Sequence, residues 1–474
     1  MAARKQLCGR GEPESQGNMM KSGRLYADEM YRFEEPQPSY WEALEGGKES
    51  IGVPLTDSQS CDVAIIGGGY TGLSAALHLA RDYSLDVRVL EAGHIGWGAS
   101  GRNAGFCCIG ATLLDIDQQV RQVGLEETRR YYRAQVEAVE LVRQLGVDES
   151  IDLQIVGDAE LDVAHSKAAF EHLQAHAETQ RKVLGLDTRV FTAAEFRERF
   201  FDSTEQFGAA QTRPTFALNP LRFARGLAAA AIRRGALLHP HSEVIRWQKD
   251  GEWHVLQTAQ GSLRARRVIL ATNGFAAENL STELAGRPLP LISAMLVTRP
   301  LTDAELAAQR WQCAQPAVSS RILLNYFRML PDRRFVFGGR GVSRGDPKGA
   351  KKTFDLIQRR LGEIWPAWRD IEIDYRWHGF VCFTRDRKPA IGVMESDPSV
   401  FYGFGYHGNG VNTATWTGRQ LAIWLGSSQS GDSGIPHSIP ALMRGMPRRF
   451  PMPGLRRRYL QGALAWYRFV DWLS

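Results

Sequence analysis

The 474-residue sequence predicts an α/β protein: a parallel sheet covered by helices on both faces, joined to a second, α+β domain of antiparallel strands and helices. Three observations predict it. Residues 62–66, DVAII, form a short, almost continuous apolar run that suits a strand buried on both faces. A glycine-rich turn, a helical pattern and a second apolar strand at 87–90, VRVL, complete a βαβ unit over 61–92. Between Leu291 and Tyr375 the pattern becomes strand-rich (AMLVTRP from Ala294, RFVFGG from Arg334, IEIDYRW from Ile371), broken by a helix near 352–362.

In chain order, residues 1–57 are polar and predict an extended arm whose Tyr31, Phe33, Tyr40 and Trp41 pack on the body. From Leu113 to Leu145 apolar residues recur at helical spacing, giving two amphipathic helices with a break at Gly124. Residues 151–164, IDLQIVGDAELDVA, read as strands, and 167–184 as a helix. A further helix opens with Asn219 as N-cap and Pro220 at its first position, and ends near Gly235. Strands follow at WHVLQTA from Trp253 and RVIL from Arg267. After Phe401 comes a glycine-rich turn and a helix over 412–425, and 455–473 fit one amphipathic helix with Leu455, Tyr459, Leu460, Leu464, Tyr467 and Val470 on a face.

Composition narrows the class. Hydrophobic content of 43% and charged content of 23% belong to a globular protein, and the length suggests two joined domains. No run of eighteen apolar residues is present, and the first twenty residues lack the apolar stretch of a secretory signal. Glu12, Glu14, Asp28 and Glu29 argue against a mitochondrial presequence, and Met19 or Met20 could serve as the start. Six cysteines without zinc spacing point to a reducing, cytoplasmic setting and no metal site. The net charge of +6 sits largely in residues 431–474, where seven arginines face two aspartates. Three readings stay open for that tail: a solvated face, contact with acids of the protein's own body, or peripheral contact with an anionic membrane. Nothing in the sequence suggests nucleic acid.

The front turn, GGGYTG at 67–72, has a specific logic. Gly67 permits the tight turn, Gly69 lets backbone approach a pyrophosphate, and Gly72 seats the helix close on the strand. The helix N-terminus offers its free N–H groups and partial positive charge to that pyrophosphate. Glu91 ends the second strand, nineteen residues past Gly72, where a carboxylate can take ribose hydroxyls. Strand, loop, helix and acid together make a dinucleotide site and a Rossmann-like domain.

The loop alone fits NAD or FAD. Later segments favour FAD. GASGRNAG at 98–105 is too polar and glycine-rich for core and lies where a cofactor would thread inward. Residues 271–274, ATNG, break an apolar strand into small side chains. The turn FGYHGNG at 404–410 feeds a helix whose N-terminus would stabilise the negative charge of a reduced flavin. NAD would need no such second cradle.

These motifs, with TRDRKPAIG at 384–392, resemble the D-amino-acid oxidase superfamily of FAD enzymes from about Ser39 onward. PSYWEAL at 38–44 and RRFPMPGLRRRYL at 448–460 make the chain similar, within it, to the gamma-glutamylputrescine oxidoreductases. The resemblance implies an FAD-binding domain assembled from 58–112, 205–288 and 376–430, a substrate domain from 113–204 and 289–375, and a basic helical tail over 431–474. It implies FAD contacts at Gly67, Gly69, Tyr70, Thr71, Gly72, Glu91 and Ala92. Others fall at Ser100, Gly101, Arg102, Asn103, Ala104, Gly105, Val244, Ala271, Thr272 and Gly274, then Gly405, Gly408, Asn409, Gly410 and Val411. The implied reaction is oxidation of an amine or amino acid to an imine by hydride transfer to flavin N5, with oxygen or another acceptor reoxidising the flavin.

Such chemistry needs orientation more than acid–base groups, and no triad or carboxylate pair is visible. His407, in the glycine turn, is expected to face flavin or substrate. Tyr326, Arg328 and Arg340, from a hairpin, are expected on the substrate side, where an arginine can clamp a carboxylate. Some relatives bind FAD covalently through a cysteine near the position of Thr384. Cys382 stands one position off, and 98–105 holds no histidine, so non-covalent FAD is expected. An oxidase, a dehydrogenase serving a quinone or carrier protein, and a non-catalytic flavoprotein all fit the sequence.

Overall fold

A computed structural model describes residues 23–46, 51–342, 345–428 and 434–473; the alternative starts at Met19 and Met20 lie outside them. Ser58–Ile66 is central to the first sheet, pairing in parallel with Ser262–Leu270 on one side and Val87–Leu90 on the other. Val400–Phe404 and Leu237–His239 extend the sheet outward, also in parallel. Ala390–Val393 closes one edge antiparallel, and the Arg246–Asp250 and Trp253–Gln257 hairpin branches from Ser262–Leu270. The helices Tyr70–Tyr83 and Gly410–Ser428 pack on each other beside this sheet. Their backbones come so close that a Cβ on Gly418 would overlap the Thr71 carbonyl oxygen, and Ser74 Oγ donates to Thr415 O at 2.6 Å.

The second sheet has eight strands, in the order Ile373–Phe383, Leu289–Thr298, Phe335–Val342, Asn325–Met329, Ala317–Ser319, Glu160–Val163, Gly208–Arg213 and Asp187–Thr192. All neighbours are antiparallel except Glu160–Val163 with Ala317–Ser319. Strand alternation sorts its faces. Phe327, Phe335 and Phe337 enter an aromatic layer with Trp365 and Trp368, beneath helix Pro347–Ile364. Ser293, Met295, Tyr326 and Arg340 open on the other face, toward the first sheet.

One strand lies beyond a domain boundary drawn from sequence, and another runs through one. Gly208–Arg213 belongs to the second sheet, past the boundary at 204/205, and Ile373–Phe383 runs straight through the one at 375/376. Helix Leu125–Asp148, placed in the substrate domain, shares its core with the first sheet through Tyr131, Val139, Val142 and Leu145. The break at Gly124 is real, with φ of +82°. Of the strands read into 151–164, only Glu160–Val163 forms; Gln154 and Gly157 take positive φ and interrupt the rest.

The arm packs as expected: Tyr31, Phe33, Tyr40 and Trp41 are buried, and Ser39 caps helix Tyr40–Glu45. The tail forms helix Arg456–Leu473, but only Leu460 and Leu464 of its anticipated face are buried; Tyr459 and Tyr467 are exposed. Its arginines staple it to the body, Arg448 to Asp386 at 2.6 Å and Arg456 to Glu278. Among the described residues no helix is long and apolar enough to cross a membrane.

Candidate active site

One cavity runs between the two sheets and gathers most of the residues singled out from sequence. At its first end strand Ser58–Ile66 breaks at Gly67, whose φ of +111° a side chain would resist, and whose Cβ would come within 2.7 Å of Ala271 O. Gly69 is the N-cap of helix Tyr70–Tyr83 and carries no capping side chain, and with Tyr70 and Thr71 it brings the helix N-terminus to the cavity wall. Ser100 Oγ accepts from Tyr70 N–H at 3.0 Å. The Glu91 carboxylate accepts from Gly68 N–H at 2.6 Å and Gly93 N–H at 3.0 Å, and burial holds its pKa above the usual carboxylate range despite these bonds.

Ala92, Arg102, Asn103, Ala104, Val244, Ala271 and Thr272 continue the wall, and Gly408, Asn409, Gly410 and Val411 close its far end. Asn103 locks its own loop, donating to Ala99 O at 3.0 Å and accepting from Gly105 N–H at 2.7 Å. Arg102 stacks over Trp97, its carbon 3.8 Å from the ring centre; burial pushes its pKa down to about 9 and leaves one nitrogen, Nη2, unpaired. A continuous cradle of glycines, a helix N-terminus and an orphaned guanidinium nitrogen fits a long anionic cofactor.

Five of the expected glycine contacts do not line the cavity. Gly72, Gly101 and Gly105 permit backbone contacts behind it, where a Cβ would overlap the carbonyl oxygens of Gly67, Gly96 and Leu218. Gly405, with φ of +80°, lies against Thr384 and donates to Asn273 Oδ1 at 3.0 Å. A Cβ on Gly274 would meet Phe380 and Cys382 at ordinary contact distance.

On the substrate side the structure separates the four candidates. Tyr326 and Arg340 reach the cavity. Tyr326 shares a hydrogen bond with Ser293 Oγ at 2.8 Å, and its ring lies over Gly338, its cross-strand partner, where a Cβ would overlap it. Arg340 donates to His407 O at 3.1 Å and stacks over Phe383, and its Nε is buried without a partner. Arg328 is a correction: it donates to Leu218 O at 2.7 Å, sits over Trp41, and does not line the cavity.

His407 lines the cavity but offers it no ring nitrogen. Nδ1 lies 3.1 Å from Ala111 O, a carbonyl that only accepts, so Nδ1 carries the proton and Nε2 accepts from Thr384 N–H at 3.2 Å. Burial, reinforced by the nearby Arg340 charge, drives its pKa down to about 4. The imidazole is a neutral strut that holds the turn at φ of +53°.

Several further residues, unmarked by any motif, line the wall. Phe33 of the arm, Trp97, Phe275 and Phe380 form an aromatic cluster against the cofactor end. Asn273, between two predicted residues, ties the 271–274 turn to the 404–410 turn. Cys382 lines the cavity as a buried thiol with its pKa pushed up to about 12, a poor nucleophile.

Replacing Gly338 with Ala is expected to drive the Tyr326 ring off Ser293. Overpacking of this kind costs about 1–3 kcal/mol, so kcat/KM should fall roughly ten- to a hundredfold while the flavin spectrum persists. Steady-state rates beside the absorbance spectrum check it.

A family model described as DAO, FAD dependent oxidoreductase, matches residues 62–424. The chain is 31% identical to gamma-glutamylputrescine oxidoreductase of Escherichia coli (strain K12) over 430 residues, covering 89% of this chain and 95% of that protein. It is 32% identical to probable oxidoreductase OrdL of Rhizobium meliloti (strain 1021) over 88% of this chain and 94% of that one. The fold is also that of glycine oxidase from Geobacillus kaustophilus, with a TM-score of 0.63 at 21% identity over 80% of this chain and 99% of that chain. L-proline dehydrogenase from P. horikoshii gives a TM-score of 0.65 at 20% identity over 81% and 96%. With its glycine cradle and a match spanning both sheets, the chain belongs to the DAO family of FAD-dependent oxidoreductases.

Proposed function

We propose that this enzyme oxidises the carbon–nitrogen bond of an amine or amino acid, including gamma-glutamylated amines, to an imine that water then hydrolyses. The observation that carries the reading is Arg340. It is a buried guanidinium in the cavity wall with a free Nε–H, and among the described residues no carboxylate pairs with it. A substrate carboxylate is the natural partner.

Gly67–Thr71 and Glu91 would hold the dinucleotide end of FAD, and the 404–411 turn would hold the ring end. FAD, when bound, supplies the acceptor for the hydride. The first sheet with its helices serves as the FAD domain, and the open face of the second sheet orients substrate. Phe33, Trp97 and Phe275 exclude water from the cofactor end. Tyr326 and Ser293 offer a hydroxyl pair on the substrate side.

Since His407 stays neutral down to about 4, it contributes no titration where the substrate amine loses its proton. The rising limb of kcat/KM between about pH 6 and 9 should therefore follow the substrate amine's own basicity together with the ionisation of Glu160, a cavity carboxyl that burial and the Asp162 charge push up. It should move when a less basic amine is used, and stay in place in His407→Asn.

The deciding experiment is anaerobic addition of gamma-glutamylputrescine, then sarcosine, glycine and D-amino acids, to the purified holoenzyme. Bleaching of the flavin band by one of these supports the reading, and a band that none of them bleaches sinks it. Acid precipitation should release FAD into the supernatant, because the Cys382 thiol is buried and protonated.

A second reading concerns the electron acceptor. Helix Arg456–Leu473 exposes Trp466 and Phe469 on an arginine-rich tail, which suits an acceptor at a membrane surface. Oxygen consumption that matches amine turnover would favour the oxidase; turnover only with added quinone would favour this dehydrogenase.

A further inference from the structure

Strand Glu160–Val163 carries two carboxylates that the chemistry above does not use. Leu161 and Val163 point into the aromatic layer under the second sheet, so Glu160 and Asp162 face the opposite side, the one from which Tyr326 and Arg340 reach the cavity. Glu160 lines the cavity itself. So does Val318, which is paired with Asp162 on one side and Tyr326 on the other.

Both carboxylates are enclosed by the fold yet keep a partly open surface toward its interior. The Cys108 thiol hydrogen-bonds Glu160, and among the described residues neither carboxylate belongs to an ion pair. Burial raises the pKa of both, and for Glu160 the nearby Asp162 charge adds to it. Ionising two enclosed carboxyls without a counter-charge is costly, by several kcal/mol per ion, so they favour the protonated form until something cationic joins them. A second unpaired group looks into the same cavity: Arg340, with its free Nε–H. Three strand spacings and a register offset of four residues separate it from Glu160, roughly 14 Å across the strands and ~13 Å along them, or about 19 Å in all. The cavity thus presents a cation and, well apart on the same wall, a carboxyl pair that a cation would ionise.

Resting on the amine-oxidation reading, we propose that Glu160, backed by Asp162, binds a second, protonated nitrogen of an elongated substrate, while the nitrogen to be oxidised sits neutral at the cofactor end. The substrate class is then a diamine or an amine derivative with a remote ammonium group, and Glu160 is a specificity-determining residue for it.

The test uses the holoenzyme and two matched series, unbranched α,ω-diamines of four to eight carbons and n-alkyl monoamines of the same lengths. Binding is read as the rise in melting temperature, and turnover as anaerobic flavin reduction. At the best length the diamine should bind at least tenfold tighter than its monoamine, against the ordinary trend favouring the more apolar ligand. Glu160→Gln should erase the preference and Asp162→Asn should weaken it, through KM and not through the limiting rate of reduction. If no length favours the diamine, or if the preference survives in both variants, the proposal falls. Should Glu160→Gln fail to retain FAD, the wild-type series and Asp162→Asn still decide. Monoamines that reduce the flavin without any diamine preference overturn this inference alone. A preference in binding with no flavin reduction by any amine leaves the site and overturns the oxidation reading.

Discussion

Gly72→Ala is expected to purify with less than about a tenth of the FAD carried by the parent, from overpacking worth about 3 kcal/mol against rigid backbone. An added Cβ would overlap the carbonyl oxygen of Gly67 and stand 3.1 Å from Ile65 Cγ2. Neither neighbour is the end of a flexible side chain that could swing away. Relief requires the helix Tyr70–Tyr83 to move off the strand that precedes it, and the helix carries with it its N-terminal turn, Gly69 to Thr71, which lines the cavity. The control is Gly462→Ala, in the tail helix away from the cavity, whose Cβ would meet nothing within 4 Å, and which should keep its cofactor. The flavin-to-protein absorbance ratio, read beside circular dichroism, separates loss of FAD from loss of fold. A Gly72→Ala protein with full FAD would mean that this turn does not hold the pyrophosphate.

That turn was legible because everything it needs is local. Apolar run, three glycines, helix and Glu91 follow one another within thirty residues, and each has a backbone reason to be there. The break at Gly124 and the cap at Asn219 with Pro220 are local in the same sense; Asn219 Oδ1 accepts from Arg222 N–H at 3.1 Å. The residues that misled are those whose partners lie far along the chain. His407 stood out as a polar ring among glycines, but Ala111, which fixes its tautomer, is 296 positions away. Arg328 alternates with Tyr326 and so belongs on the same face. Leu218 O and the ring of Trp41 intercept it, and neither contact can be read from a strand pattern. Two strands depart from the domain boundaries for a related reason. Ile373–Phe383 is one uninterrupted strand, and nothing in its alternation marks which sheet it joins. Glu160 sits in a stretch whose alternation marks only its apolar residues, so nothing local signals a carboxyl in the cavity wall.

Arg340→Met is expected to lower kcat/KM for substrates carrying a carboxylate by about 10²- to 10³-fold, and for plain monoamines by less than about tenfold. Charge-assisted hydrogen bonds are worth about 1.5–3 kcal/mol each, and a forked guanidinium offers two. Burial lowers the Arg340 pKa, but arginine stays ionised in proteins, so a full charge faces the cavity. Arg340→Lys keeps the charge and loses the fork, and should fall between the parent and Met. The two substrate classes are needed because Arg340 has a second job: it donates to His407 O at 3.1 Å and helps hold the turn expected to carry the flavin ring. Loss of that bond would disturb every substrate alike, whereas loss of a carboxylate clamp penalises only those with a carboxylate to hold. An equal fall for both classes would therefore assign Arg340 to positioning the turn and remove the main support for an acidic substrate. A fall confined to the carboxylate class, carried by KM with FAD retained, would fix both the residue's role and one end of the substrate.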